Sequence, residues 1–190
     1  CYIEDLLPDG SCRMCMVEIE NRGRTKMETA CTAQVAEGLV VTTNSEKVRN
    51  ARRNILDMLL SNHKTDCFSC PSNRDCKLQE LCFEYGIERT TYSGEQTELP
   101  IDDSNKFFTY NPNLCILCHR CVNTCHKIVG RGAIDTMERG FDSAIGTPFH
   151  IDWADTNCES CGNCVQACPT GALTMKRRKN YRKYQIDKKV

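Results

Sequence analysis

The sequence predicts an α+β chain made of several small units, each wrapped around its own group of cysteines. Three observations carry that expectation. Cysteine occupies 16 of 190 positions, far above ordinary usage. Short runs alternate apolar and polar residues at the period of a strand, and longer runs recur at the period of a helix. One four-cysteine pattern occurs twice with identical spacing, which makes residues 107–175 a pseudo-twofold repeat.

The elements follow in order. Met16-Val17-Glu18-Ile19-Glu20 alternates as a strand does, and Gly38-Leu39-Val40-Val41-Thr42-Thr43 is a second β-rich run, so short strands surround a CxxC loop at Cys12. Asn44 or Ser45 can cap a helix in which Val48, Ala51, Ile55 and Met58 or Leu59 recur up to about Leu60, with Arg49, Arg52 and Arg53 on its wet side. A second short helix is expected over Cys76–Tyr85, stopped by Gly86. Residues 93–106 are polar and turn-rich and read as a connection. The insertion between the two quartets carries Gly140, Gly146 and Pro148 and has its own turns. The basic run Lys176-Arg177-Arg178-Lys179-Asn180-Tyr181-Arg182-Lys183 reads as a solvated linker rather than a nucleic-acid surface, since it lacks a supporting face of aromatic residues.

Composition narrows what the cysteines hold. Disulfide scaffolds belong to short secreted chains that cannot build a core, and this chain is long enough for two or three small domains and shows no signal peptide. The cysteines also sit two or three residues apart, which suits wrapping a metal better than bridging distant strands. Basic and acidic residues balance at 25 each, so no global field favours nucleic acid or an anionic membrane. With 26% charged residues and no long apolar run, the chain reads as soluble, without a membrane segment. It starts on Cys1, itself a candidate ligand, with no initiator Met, and is expected to be part of a longer polypeptide.

Four groups of metal ligands emerge. The repeat, CxxCxxCxxxC, has the bacterial ferredoxin spacing, in which three close cysteines hold three corners of a 4Fe-4S cube and the fourth crosses to the other cube. On that reading Cys115, Cys118, Cys121 and Cys168 hold one cluster, while Cys158, Cys161, Cys164 and Cys125 hold the other. Pro169 follows Cys168 as the pattern asks; His126 stands where the first quartet would have proline. The CxxCH at Cys115–His119 also matches haem attachment, but haem would leave Cys121, Cys125 and the second quartet unexplained. Zinc knuckles pair two CxxC units at longer separation and do not use a third cysteine two residues on.

His63, Cys67, Cys70 and Cys76 form the next group, one imidazole and three thiols. Alone they fit a zinc knuckle or a cubane with one imidazole corner; beside a ferredoxin repeat the cluster is favoured, although His63 after a helix can also serve as a plain C-terminal cation. A neutral imidazole in place of a thiolate makes the site less negative and raises its potential. Cys1, Cys12, Cys15 and Cys31 form the remaining group. Their CxxC core agrees with plant-type 2Fe-2S ferredoxins, with a longer first gap. Pro8-Asp9-Gly10-Ser11 supplies a turn whose N–H groups can face cluster sulfur. Cys82 alone is left over, and as a lone helical cysteine it reads as a small buried apolar residue.

The ordered succession Cx10CxxCx15C, HxxxCxxCxxxxxC and two CxxCxxCxxxC quartets resembles the N-terminal electron-input region shared by FeFe hydrogenases and cytoplasmic NAD- or ferredoxin-linked formate dehydrogenases. It is similar, less completely, to the large iron–sulfur subunit of respiratory complex I. Arg139-Gly140-Phe141-Asp142-Ser143-Ala144-Ile145-Gly146-Thr147-Pro148-Phe149 and the exit Tyr181–Val190 look more like a formate dehydrogenase α subunit. The resemblance implies a partial β-grasp 2Fe-2S domain over 1–45 and a small helical 4Fe-4S domain, with one histidine and three cysteine ligands, over 46–100. It implies a double 4Fe-4S ferredoxin domain over 101–176 and a linker over 177–190. It further implies a cytoplasmic oxidoreductase assembled as a hetero-oligomer. Flavin-containing or iron–sulfur redox subunits, or ferredoxin, would be its partners, and molybdopterin would sit in a catalytic domain outside these residues. No catalytic residue is named within 1–190; a hydrogenase relay and a zinc-stabilised binding module are the alternatives.

Overall fold

The computed structural model describes residues 1–4, 6 and 8–176. The expected linker over 177–190, most of the basic run and the exit segment after Tyr181 lie outside the described residues.

β1 (Met16–Asn21) and β2 (Arg24–Thr29) form an antiparallel hairpin in which Asn21 pairs with Arg24. Its two-residue loop, Arg22-Gly23, is left-handed at both positions, φ 50° and 74°, and this twist lets two strands close without splaying. β3 (Val40–Thr42) pairs with the other edge of β1, giving the order β2-β1-β3. Strand alternation turns Val17 and Ile19 inward, and both are buried.

α1 (Glu46–Ser61) opens at Ser45, whose hydroxyl accepts the Val48 N–H at 3.2 Å and donates to Glu18 Oε2 at 3.1 Å. One side chain thus caps the helix and ties it to β1, a contribution of about 1 kcal/mol for such a cap. The buried stripe is Val48, Leu56 and Leu60 rather than the expected Val48, Ala51, Ile55 and Met58 or Leu59; Leu59 packs partly buried against it, and Met58 is exposed. Both sets fit a 3.6-residue period, and what selects the former is α2 (Lys77–Glu84), whose Leu78 and Cys82 pack against Leu56 and Leu60. Arg52 is likewise not on the wet side. Its guanidinium donates to the Met16 carbonyl at 2.7 and 3.0 Å and to the Tyr85 hydroxyl at 3.3 Å, joining helix, sheet and the end of α2. Cys76 and Tyr85 flank α2 as its caps, and Gly86 leaves it at φ 64°.

The repeat is closed by β4 (Phe108–Tyr110) and β7 (Leu173–Met175), its two ends, paired antiparallel. Between them lie α3 (Arg120–Asn123), which continues as a π-helical turn over Thr124–Ile128, and α4 (Asn163–Ala167). The insertion folds as a hairpin of β5 (Asp135–Met137) and β6 (Ala144–Gly146). Trp153 is buried at the centre, edge-on to Phe108 at 5.2 Å and to Tyr110 at 5.1 Å between ring centres. The turn-rich stretch before β4 is pinned down: Asp102 accepts the Trp153 N–H at 2.9 Å, and Asn113 exchanges two hydrogen bonds with the Leu99 backbone.

Candidate metal centres

In the first unit the sheet ends deliver the cysteines. The Ala30 N–H donates to the Cys15 carbonyl at 3.0 Å, so the end of β2 brings Cys31 towards Cys15. Burial raises the Cys31 thiol, and Cys15 and Cys12 add to the rise, while the Gly10 N–H acts the other way. The Cys12 N–H donates to Cys1 Sγ at 3.5 Å. Cys1 and Cys12 are thus held together, Cys15 and Cys31 are brought to the same end of the sheet, and Gly10, which acts on Cys31, belongs to the turn expected to face sulfur.

His63 follows the α1 cap, held by its N–H on the Leu60 carbonyl at 3.1 Å. The residue is only 8% exposed, and its Nδ1 has no hydrogen-bond partner. Burial holds it below the ordinary imidazole range, leaving the neutral form that ligates metals. His63, Cys67 and Cys76 line one cavity together with Leu60, Leu78 and Cys82. Cys70 does not line it. Its Sγ would stand 2.7 Å from a Cβ at Gly171, so only glycine allows this approach between the His63 unit and the repeat. Burial raises Cys76 first, with Cys70 and then Cys67 contributing; it pushes Cys82 up to about 11, with Cys76 and Cys67 behind it. Sequence reasoning placed Cys82 correctly in the apolar interior but missed that it shares a wall with His63, a position that only the packing of α2 on α1 determines.

The repeat sorts its eight cysteines into two sets. Burial pushes Cys121 well above the ordinary thiol value, and the charges that add to it belong to Cys115, Cys118 and Cys168, then Cys164. Cys164 is pushed up to about 12 by burial, then by Cys158, Cys161 and Cys125. Cys125, Cys158, Cys161 and Cys164 also line a single cavity. The two CxxC loops share one backbone: Leu117 and Ser160 are left-handed at φ 50° and 55°, and His119 and Gly162 at 59° and 78°. In each, the amide two residues on donates to the first thiol, Leu117 to Cys115 at 3.4 Å and Ser160 to Cys158 at 3.3 Å. The Ala133 N–H donates to Cys125 Sγ at 3.3 Å. Pro169-Thr170 turns Cys168 back, with the Thr170 hydroxyl donating to the Leu114 carbonyl at 2.8 Å beside the first loop.

These donor sets fit iron–sulfur ligation. All sixteen cysteines are free. Several of their sulfurs accept backbone N–H groups, and a buried imidazole nitrogen is left without a partner beside two thiols. Among the described residues no three His, Cys, Asp or Glu side chains converge as ligands of a single ion, and no helix is long and apolar enough to cross a membrane.

Comparison with known proteins gives these sites a lineage. Residues 4–46 match a 2Fe-2S iron-sulfur cluster binding domain, residues 52–91 the NADH-ubiquinone oxidoreductase-G iron-sulfur binding region, and residues 106–174 the ferredoxin-like domain of NADH-quinone oxidoreductase subunit 3. The chain is 40% identical to the NADPH-Fe(3+) oxidoreductase subunit alpha of Geobacter sulfurreducens across 93% of its own length and 20% of that protein. It is 39% identical to the NADP-reducing hydrogenase subunit HndD of Solidesulfovibrio fructosivorans, across 86% of its length and 28% of that protein. The chain thus spans less than a third of the length of either curated relative. A chain of an NAD+-reducing NiFe hydrogenase crystal structure superposes with a TM-score of 0.81 at 30% identity, covering 92% of this chain and 76% of that one. Thiols, folds and matched segments agree, and the chain belongs to the family of the NADH-ubiquinone oxidoreductase-G iron–sulfur region, with 2Fe-2S and 4Fe-4S binding domains.

Proposed function

We propose that this chain is the electron-relay region of a larger NAD(P)-linked oxidoreductase, built as three units over 1–45, 46–100 and 101–176, with 177–190 leading to a catalytic domain. Cys1, Cys12, Cys15 and Cys31 hold a 2Fe-2S cluster. Three 4Fe-4S clusters are held by His63 with Cys67, Cys70 and Cys76, by Cys115, Cys118, Cys121 and Cys168, and by Cys158, Cys161, Cys164 and Cys125. When bound, such clusters supply reversible one-electron chemistry.

The protein's own part is to hold, tune and space. Backbone N–H groups on Cys1, Cys115, Cys125 and Cys158 sulfurs stabilise added negative charge. The neutral ring of His63 removes one negative ligand from its site. Lys77 donates its N–H to the Pro169 carbonyl at 2.9 Å, which seats the residue after Cys76 against the residue after Cys168. The observation that most supports this reading is that Cys125 of the first quartet lines one cavity with Cys158, Cys161 and Cys164 of the second, since crossing is what a pair of cubanes requires and separate zinc knuckles do not.

Similarity to an NADPH-Fe(3+) oxidoreductase subunit and an NADP-reducing hydrogenase subunit favours an NAD(P)-linked assembly of several subunits; flavin-containing or iron–sulfur redox subunits of a cytoplasmic hetero-oligomer are the partners that the motif resemblance implies. For the catalytic domain, residues 139–149 and 181–190 favour a molybdopterin formate dehydrogenase, and the NADP-reducing hydrogenase match favours a hydrogenase as the second reading. Formate oxidation against hydrogen uptake with a dye acceptor separates the two. Iron and acid-labile sulfide analysis tests the relay itself: about 14 irons per chain are expected from these ligand sets. A value near zero with stoichiometric zinc would replace the relay with a zinc-stabilised binding module.

A further inference from the structure

The two CxxC loops of the repeat share a backbone but differ at one left-handed position, where the second has Gly162 and the first has His119. Glycine adopts that conformation freely, whereas for an L side chain it costs roughly 1 kcal/mol. The first loop therefore carries its imidazole against a local conformational cost. The ring's surroundings show what is obtained in return. Nδ1 lies 3.4 Å from the Ser11 hydroxyl, and Nε2 lies 3.3 Å from the Thr136 hydroxyl. Ser11 directly precedes Cys12, and His119 directly follows Cys118.

The same segment makes two more contacts at successive steps of four residues. The Asn123 amide donates to Asp9 Oδ2, and Lys127 Nζ lies 3.7 Å from Asp9 Oδ1. His119, Asn123 and Lys127 thus address one short turn, Asp9–Ser11, from consecutive turns of α3 and its π-helical extension. The corresponding positions of the second half are Gly162, Gln166 and Thr170. The contact between Ser11 and His119 thus sets the loop of Cys12 beside that of Cys118, across the unit boundary.

We propose that His119, Asn123 and Lys127 form a clamp on the Asp9–Ser11 turn that sets the placement of the Cys12 loop against the Cys118 loop, His119 being the positioning residue. This rests on the relay reading above for its purpose, since the spacing of two redox sites matters only if both are filled. The clamp itself is a property of side chains and is measurable apart from that.

The experiment uses the full-length protein as isolated, with hydrogen exchange over residues 9–12 and, after dithionite reduction, the dipolar splitting between the 2Fe-2S signal and its nearest 4Fe-4S neighbour. In His119→Gly and Asp9→Ala, exchange over residues 9–12 should rise by about tenfold, the equivalent of a hydrogen bond or two. The splitting should weaken, while iron content and the midpoint potentials of the two clusters away from this contact, those of the His63 group and of the Cys158 group, stay at the wild-type values. Gln166→Ala, at the equivalent place in the second half, should change neither. Should His119→Gly not fold, Asp9→Asn keeps the turn's size and removes the charge facing Lys127, and a smaller rise in exchange is expected. Wild-type exchange and splitting in the Asp9 and His119 variants overturn the clamp. Absence of iron in the wild type overturns the relay, and leaves the exchange measurement to decide the clamp.

Discussion

The repeat around Trp153 and the single motif after α1 both present cysteines to a cavity, but they choose them differently. In the repeat, the neighbours of Cys121 and Cys164 are the ones that spacing names. After α1, the cavity wall is made by His63, Cys67, Cys76 and Cys82, while Cys70 faces Gly171 across the unit boundary. On the proposed ligand sets each half of the repeat completes the other, so that a shift in one would misplace a thiol in both. The His63 unit has no second copy. Its thiols are placed by the packing of α2 against α1 and by what the adjoining repeat admits at Gly171, so spacing alone describes it less fully.

The largest effect separates the two halves of the repeat. Cys168→Ala should remove the iron held by Cys115, Cys118 and Cys121 and spare that of its own quartet, and Cys125→Ala should do the reverse. Iron analysis with EPR on each variant reads this as the loss of one 4Fe-4S signal, about four irons of some fourteen. If each variant instead lost the cluster of its own quartet, the halves would not cross, and the contrast with the His63 unit would lose its basis.

A smaller effect tests what holds the repeat together. Asp102 accepts the Trp153 N–H at 2.9 Å and the Ser104 N–H and hydroxyl at 2.8 and 2.6 Å. Burial acts to raise its carboxyl, but these donors outweigh it and hold the group below the ordinary carboxylate range. Because the folded value is depressed, the stabilisation is complete above the unfolded value, near about 4, and is lost as pH falls through the folded one. Asp102→Asn should therefore cost about 1 kcal/mol in denaturant unfolding at neutral pH. The gap between wild type and variant should close only below the ordinary carboxylate range. A gap that closes between about pH 5 and 7 would assign it to another group.

Much of this was readable beforehand, for physical reasons that differ by element. Ser45 caps α1 and Gly86 follows α2 because capping and helix exit are local chemistry, settled within a few residues. That Cys125 shares a cavity with Cys158, Cys161 and Cys164 was legible because the spacing of short loops leaves few arrangements. The choice of Leu56 and Leu60 over Ile55 and Met58 was not, since both stripes share one period and only α2 decides between them. Arg52 reads as a surface charge until the Met16 carbonyl and the Tyr85 hydroxyl come within reach of it. The contacts of His119 with Ser11 and of Asn123 with Asp9 each span more than a hundred residues of sequence, and nothing local points to them.

The smallest effect bears on Cys82 and sharpens the contrast most directly. It is 9% exposed, packs with Leu56, Leu60 and Leu78, and shares a wall with His63, Cys67 and Cys76. Its thiol is pushed up to about 11, mainly by burial, and it stands outside the HxxxCxxCxxxxxC spacing on the apolar contact of α2 with α1. Cys70 is the fourth donor by spacing, and its charge weighs on Cys76 ahead of that of Cys67. Cys82→Ala should thus keep its full iron content and lose only packing, about 1 kcal/mol on unfolding. Cys70→Ala should lose the iron of this site while its fold is kept by the α1–α2 contact. Iron loss in Cys82→Ala with retention in Cys70→Ala would make the cavity wall, rather than the HxxxCxxCxxxxxC spacing, the true ligand set. The His63 unit would then be the place where packing overrules the motif.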